Sequence, residues 1–452
     1  MCPISPLDDR YREDIREIEN IFSEFSLVKY RLLVEIEYVI LLSKFLSDKD
    51  IDLAKEKIRK IYQKFSLEDF RKIKNIEKRT KHDVKAIEYF LREEFHKNKL
   101  DTYAKYIHLG LTSEDVNNIA YSIILRTFLQ KYLFLLNQVI KKIINLGVRW
   151  RDVVILSRTH GQPAVPTTIG KEFMIFAYRL CKVYSDLINY RFPGKLNGAV
   201  GNYNALSFIF PQIDWIEFSK KFIKNFDLEP ILITTQRNIH DTISDFLRKI
   251  VSVNYILLNF VTDVWLYIML GYFKLKFKDG QVGSSTMPHK VNPIYFENAE
   301  GNLTISNALL ESIAGKLQVS RLQRDLSDST IKRNYGLAIG HSFLALKNIF
   351  KGLEMIDIDY ENIEEDLSKH WEVLAEAIQV FLRVHGYEDA YEKIKPYFQG
   401  KTINKEKFVE IIKNLRIPDN LKKELLKLDV HNYIGLALSI VNIAKKYCFE
   451  KI

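Results

Sequence analysis

Proline constrains this chain most, because its ring removes a backbone donor and breaks helix interiors. None occurs between Pro6 and Pro163, between Pro230 and Pro288, or between Pro293 and Pro396. Tracts that long fit long helices, and apolar residues within them recur at helical spacing, as in Val116, Ile119, Ala120 and Ile123 or Phe408, Ile411, Ile412 and Leu415. Glycine is absent before Gly110, which reads as a helix stop. Strand-like alternation with hairpin turns is rare, so the expected fold class is all-α.

The 452 residues exceed one ordinary core, and three textures divide them. Residues 1–110 read as a lysine-rich N-terminal helical domain, 111–351 as a central long-helix bundle, and 352–452 as a C-terminal domain of shorter helices. Two stretches, 250–270 and 119–140, are long enough to span a bilayer, but Asn254, Asn259 and Asp263 interrupt one, and Arg126 and Lys131 the other. They read as the centre of a bundle, with no membrane partner expected. The excess of 67 Lys+Arg over 57 Asp+Glu would suit nucleic acid or small phosphorylated substrates, yet the charges are mixed without a basic block. Cys2, Cys181 and Cys448 give no disulfide framework and the first residues lack a signal-peptide core, so a cytoplasmic location is expected.

Four polar segments interrupt the helical pattern. Lys278 to Pro293 has no apolar period and gathers Ser284, Ser285, His289, Lys290 and Asn292, so it reads as a solvated connector or as a ligand-gripping loop. Glu297 follows at the expected start of the next helix. In Ser157 to Pro163, His160 stands among hydroxyls and an amide before a Gly-x-Pro turn, and such a histidine is more often structural than catalytic. Thr112 and Asp115 have capping-box spacing, and the same helix start, with Ser113, would offer N–H groups to an anion. Ser320 to Gly336 interleaves Arg321, Arg324, Lys332 and Arg333 with Ser329 and Thr330, as a surface ion-pair helix or a grip on phosphate or dicarboxylate. No dinucleotide, Walker A, zinc-spacing or nucleophile-elbow sequence occurs. Acid–base work on an anionic substrate is left, with no cofactor and no metal expected.

The run from Ser284 to Pro293, continuing to Glu297, resembles the signature loop of the fumarase/aspartase superfamily, SSxMPxKxNxxxxE, at every fixed position. His289 before the lysine resembles the adenylosuccinate lyase branch, as do Pro3 to Tyr11, Lys81-His82-Asp83, Thr159 to Pro163 and Gln236-Arg237-Asn238. The last hundred or so residues carry no diagnostic motif.

That resemblance implies a three-domain, all-α fold whose long helices form the twenty-helix core of a homotetramer, with each active site drawn from three chains. It implies a carbon–nitrogen lyase releasing fumarate from adenylosuccinate, giving AMP, and from the succinyl-carboxamide ribotide of purine synthesis (SAICAR, giving AICAR). By the same resemblance Ser284 is the base, His160 the general acid, Glu297 the carboxylate that orients it, and Lys290 a catalytic cation. Thr112, Ser113, Lys290 and Asn292 would hold the succinyl carboxylates, and Arg10, Tyr11, Arg324, Ser329 and Arg333 the phosphate and ribose. Lys81, His82 and Asp83 would line the same cleft, with Gln236, Asn298, Thr330, Ile331 and Lys332 as further substrate contacts. The expected partners are these small molecules and further copies of the chain, not nucleic acid. The rival readings are a sister lyase acting on argininosuccinate or malate, and a scaffold that kept the fold without the chemistry. Intact Ser284, His160, Lys290 and Glu297 argue against the scaffold.

Overall fold

Long helices fill the proline-free tracts. The computed structural model describes residues 4–46, 50–276, 287 and 289–452. Among the described residues are twenty α-helices, including Ser113–Arg149, Asp241–Met269 and Ile294–Leu317, against three two-stranded sheets. Packing gathers the chain into two compact units that alternate along the sequence. The first comprises Met1–Leu135, Asp186–Asn254 and Asn302–Leu344, the second Leu136–Ser185, Tyr255–Gly301 and Ala345–Ile452.

In the first unit the helices Glu24–Phe45, Ile51–Gln63, Leu67–Thr80 and Asp83–Lys97 close over an apolar core that includes Leu32, Ile36, Ile58, Ile87 and Phe95. Each such side chain contributes about 1.5–3 kcal/mol on burial. Local chemistry sets the helix ends. Ser66 and Asp69 form a reciprocal capping box at the start of Leu67–Thr80, and Lys81 ends that helix in the left-handed region at φ 56°. His82 then caps the next helix, its Nδ1 accepting the Lys85 N–H at 3.2 Å. The chain thus turns sharply at Lys81-His82 and presents Asp83.

The second unit is built on an aromatic cluster of Trp150, Phe173, Phe260 and Phe273, with ring centroids 5.3 to 5.9 Å apart. Close packing continues at Gly170, where a Cβ would stand 2.3 Å from the Arg151 Cα and 2.5 Å from the Gly147 carbonyl oxygen, so only glycine fits. Strands Val154–Thr159 and Gln162–Thr168 pair antiparallel, with Thr159 opposite Gln162 and an irregularity between Leu156 and Arg158. His160 and Gly161 form the two-residue turn at φ 52° and 74°, the positive values such tight hairpins favour. Pro163 and Pro166 lie inside the second strand, which is why the segment reads from sequence as a loop.

Ser113–Arg149 and Asp241–Met269 are each long and apolar enough to cross a membrane, yet 67% and 50% of their most apolar windows are buried within the protein. The second of these leaves Trp265, Leu266 and Met269 exposed.

Candidate active site

The Ser113–Arg149 helix begins with two adjacent carboxylates in different surroundings. Asp115 is fully buried and accepts the Thr112 N–H at 2.9 Å, the side-chain-to-backbone half of a capping box. It also accepts the Asn197 N–H at 3.1 Å and the Gly198 N–H at 3.2 Å, and pairs at 2.8 Å with Lys195, itself fully buried. One carboxylate therefore ties the helix start to the loop at 195–198 and sets the backbone that carries Thr112 and Ser113.

Those two residues line a cleft of about 430 Å³ in the first unit. Of the sequence-predicted binding residues it also brings together His82, Asp83, Gln236, Arg324 and Ser329. Asn117, Asp325 and Leu326 complete the lining; the last two fall in the Ser320 to Gly336 segment, whereas no motif marks Asn117. Arg10, Tyr11, Lys81, Thr330, Ile331 and Arg333 lie outside it. Asp83 is gripped by Arg31 at 2.8 Å and Arg333 at 3.1 Å, and Arg31 also donates to Asn117 Oδ1 at 2.8 Å. Burial would raise the Asp83 carboxyl, but these two guanidinium groups and the Val84 N–H hold it below its ordinary range. Gln236 Nε2 donates to the Ala199 carbonyl at 3.0 Å. Beside Tyr11, the exposed Arg10 guanidinium stands 5.7 Å from the ring centroid.

Glu114, the other carboxylate, belongs to a buried cluster with Asp328, His240 and Lys332. The Lys332 ammonium lies 2.8 Å from Glu114 and 2.9 Å from Asp328, so this sequence-predicted substrate residue spends its charge inside the protein. Arg324 reaches the same carboxylates at 3.4 and 3.8 Å. His240 Nε2 stands 4.0 Å from Glu114 and 3.9 Å from Asp328, beyond hydrogen-bond distance, and burial lowers its basicity. Burial would raise the Asp328 carboxyl, but the charges of Lys332 and Arg324 hold it well below its usual range. Ligand atoms of Glu114, His240 and Asp328 lie within 4.8 Å of one another, as a metal site would require. Lys332 already binds an oxygen of each carboxylate, so the set fits an ammonium better than a metal ion.

The second unit carries a different group. His160 is exposed at its hairpin tip and makes no hydrogen bond or ion pair among the described residues. The hairpin itself is anchored by Arg158, which donates to both Asp366 oxygens at 2.9 and 2.8 Å and to Tyr272 at 2.5 Å. Glu297, exposed in the first turn of Ile294–Leu317, accepts from Trp265 Nε1 at 3.2 Å. Within one chain no hydrogen bond or ion pair joins His160 and Glu297 among the described residues. Asn298 accepts from Asn348 at 2.7 Å. Lys290 is exposed, with its backbone N–H on the Met287 carbonyl at 3.1 Å, and Asn292 is half-buried. Ser284 lies outside the described residues, as do the rest of 277–286 and residue 288.

Comparison with known proteins decides the family. The family described as Lyase matches residues 9–305, and that described as Adenylosuccinate lyase C-terminal matches residues 320–434. The adenylosuccinate lyase of Escherichia coli K12 is 42% identical over 451 residues, covering 98% of this chain and 99% of that one. The chain belongs to the adenylosuccinate lyase family. The Legionella pneumophila (strain Corby) member is 44% identical over 444 residues, 97% of each chain, and the Dictyostelium discoideum member 42% over 451 residues, 96% of this chain and 97% of its own. Among solved structures, the fold is shared with a fumarate lyase from Mesorhizobium sp. BNC1 (TM-score 0.76, 17% identity, 95% of this chain and 97% of that one). It is shared equally with the 3-carboxy-cis,cis-muconate lactonizing enzyme of Pseudomonas putida (TM-score 0.79, 19% identity, 99% of each). The C-terminal match also covers much of the region in which sequence reading finds no motif.

Proposed function

We infer that the protein is a carbon–nitrogen lyase that eliminates fumarate from adenylosuccinate, leaving AMP, and from SAICAR, leaving AICAR. Identity of 42–44% along nearly the whole chain carries this reading. The reaction needs a base for a proton beside a carboxylate, an acid for the departing nitrogen, and cations for a dianionic intermediate. We assign the base to Ser284, which as a poor base needs a dry, electropositive setting near Lys290. His160 supplies the proton to the purine nitrogen, and Glu297 orients its imidazolium. Thr112, Ser113, Lys290 and Asn292 take the succinyl carboxylates, and Arg324, Ser329 and Arg333 the phosphate. The cleft gathering Thr112, Ser113, Gln236, Arg324 and Ser329 in one unit supports that assignment.

The exposed Trp265, Leu266 and Met269 call for a cover, since clustered apolar surface is costly in water. Further copies of the chain provide it in our reading, as a homotetramer whose shared sites bring His160 and Glu297 to the substrate. A reducing, cytoplasmic setting suits the buried thiols Cys181 and Cys448, both free among the described residues. Incubating the purified chain with adenylosuccinate should release AMP and fumarate together. Turnover of argininosuccinate or malate, with none of adenylosuccinate or SAICAR, would overturn the reading.

A further inference from the structure

We propose that Glu114 is a positioning residue for Arg324, fixing where that guanidinium stands in the cleft. The proposal rests on the reading that Arg324 grips the substrate phosphate. Glu114 is fully buried and does not line the cleft, so it acts only through its neighbours. Its two oxygens face two cations unequally. Oε1 is bonded to Lys332 at 2.8 Å, whereas Oε2 makes no hydrogen bond and has Arg324 Nη2 at 3.4 Å.

That inequality separates two jobs. Lys332, 2% exposed, hydrogen-bonded to Glu114 and ion-paired with Asp328, neutralises the cluster and is out of a substrate's reach. Arg324, with 14% of its side chain exposed, is drawn toward the same carboxylates at 3.4 and 3.8 Å without spending its donors on them. A guanidinium held this way keeps its N–H fork for an incoming anion, and a phosphate uses that fork fully. Because Lys332 occupies Oε1, Arg324 is not pulled into a bidentate pair that would blunt it. Glu114 also follows Ser113 directly, so one helix start would place both the carboxylate-holding hydroxyls and the phosphate-holding cation.

The test is a double-mutant cycle in the full chain, reading kcat, KM for adenylosuccinate, and inhibition by AMP and by fumarate. Arg324→Ala should raise KM and weaken AMP inhibition by about tenfold or more, with fumarate inhibition unchanged. Glu114→Gln should raise KM by roughly threefold to tenfold with kcat within about twofold, and should add nothing once Arg324 is gone. Additive effects, or a fall in kcat at unchanged KM, would overturn the positioning role. An unchanged KM in Arg324→Ala would instead overturn the phosphate reading itself. Should Glu114→Gln fail to fold because Lys332 loses a counter-charge, Glu114→Gln with Lys332→Gln removes both members of the pair and takes its place. Wild-type KM in that folded double variant would also sink the proposal.

Discussion

The two parts of the candidate machinery are built in opposite ways. Around the cleft of the first unit, Asp115, Lys195, Glu114 and Lys332 are buried and paired with one another. In the second unit His160, Glu297 and Lys290 are exposed, and His160 makes no bond to a described residue. On the proposed function, these buried pairs back the cleft that would hold the charged substrate and fix it before the substrate arrives. The proposed acid His160 and its orienting carboxylate Glu297 stand exposed on a hairpin tip and in a helix's first turn, where in the proposed tetramer a neighbouring copy and the substrate would complete their surroundings. On that reading, internal pairing supports binding, and exposure goes with chemistry that assembly would complete.

The sharpest way to break that contrast is to remove the proposed acid. His160→Asn tolerates the positive φ and should cut kcat by about 10²- to 10⁴-fold with KM near the parent value. Mixing this variant with Arg324→Ala should restore part of the lost activity if sites are shared between copies. Assayed at substrate well below the raised KM of Arg324→Ala, a mixture no more active than the sum of its components would confine each site to one chain.

Stability measurements sharpen the contrast next. Asp115→Asn leaves the Lys195 ammonium buried without its counter-charge and should cost about 3–5 kcal/mol in urea unfolding. His160→Asn and Lys290→Ala, both at exposed positions, should each stay within about 0.5 kcal/mol. Equal losses from both sets would erase the distinction.

The smallest expected effect is on pH dependence. The imidazole of His108 accompanies the buried Glu35 at 2.6 Å; burial pulls its pKa down, but the Glu35 carboxylate outweighs this and raises it above the ordinary value. A raised folded pKa means this pair stabilises fully below the unfolded value of about 6.5 and is lost as pH rises through the folded one. His108→Gln should flatten the melting-temperature profile in that window. Asp328, held low, works in the other direction: its contribution is present above about pH 4 and disappears as pH falls through the folded value.

Helices were legible because proline and glycine punctuate them. Gly110, at φ 70°, lies in a turn beyond the short helix Asp101–Ala104 and is not the helix stop expected of it, whereas Thr112 with Asp115 opens the Ser113–Arg149 helix as their spacing implies. The hairpin under His160 was not, since Pro163 and Pro166 disguise its second strand. Arg324 and Ser329 reach the cleft as their hydroxyl- and arginine-rich segment implies, whereas Lys332 of that segment turns out buried. Nothing in the run around Lys195 announces a buried cation, because its partner lies far away in sequence, on the Ser113–Arg149 helix, and long-range ion pairs leave no local spacing. His240 and Asn117 escape for the same reason.

Glu114 and Asp115 leave the ribosome together, but their ammonium partners are synthesised far apart, at residues 195 and 332. Until each arrives, its carboxylate must stay hydrated, for enclosing it alone costs several kcal/mol. The mouth of the 113–149 helix is consequently sealed late in translation. A nascent chain stalled before residue 332 would carry a well-formed N-terminal core beside an unfinished substrate cradle.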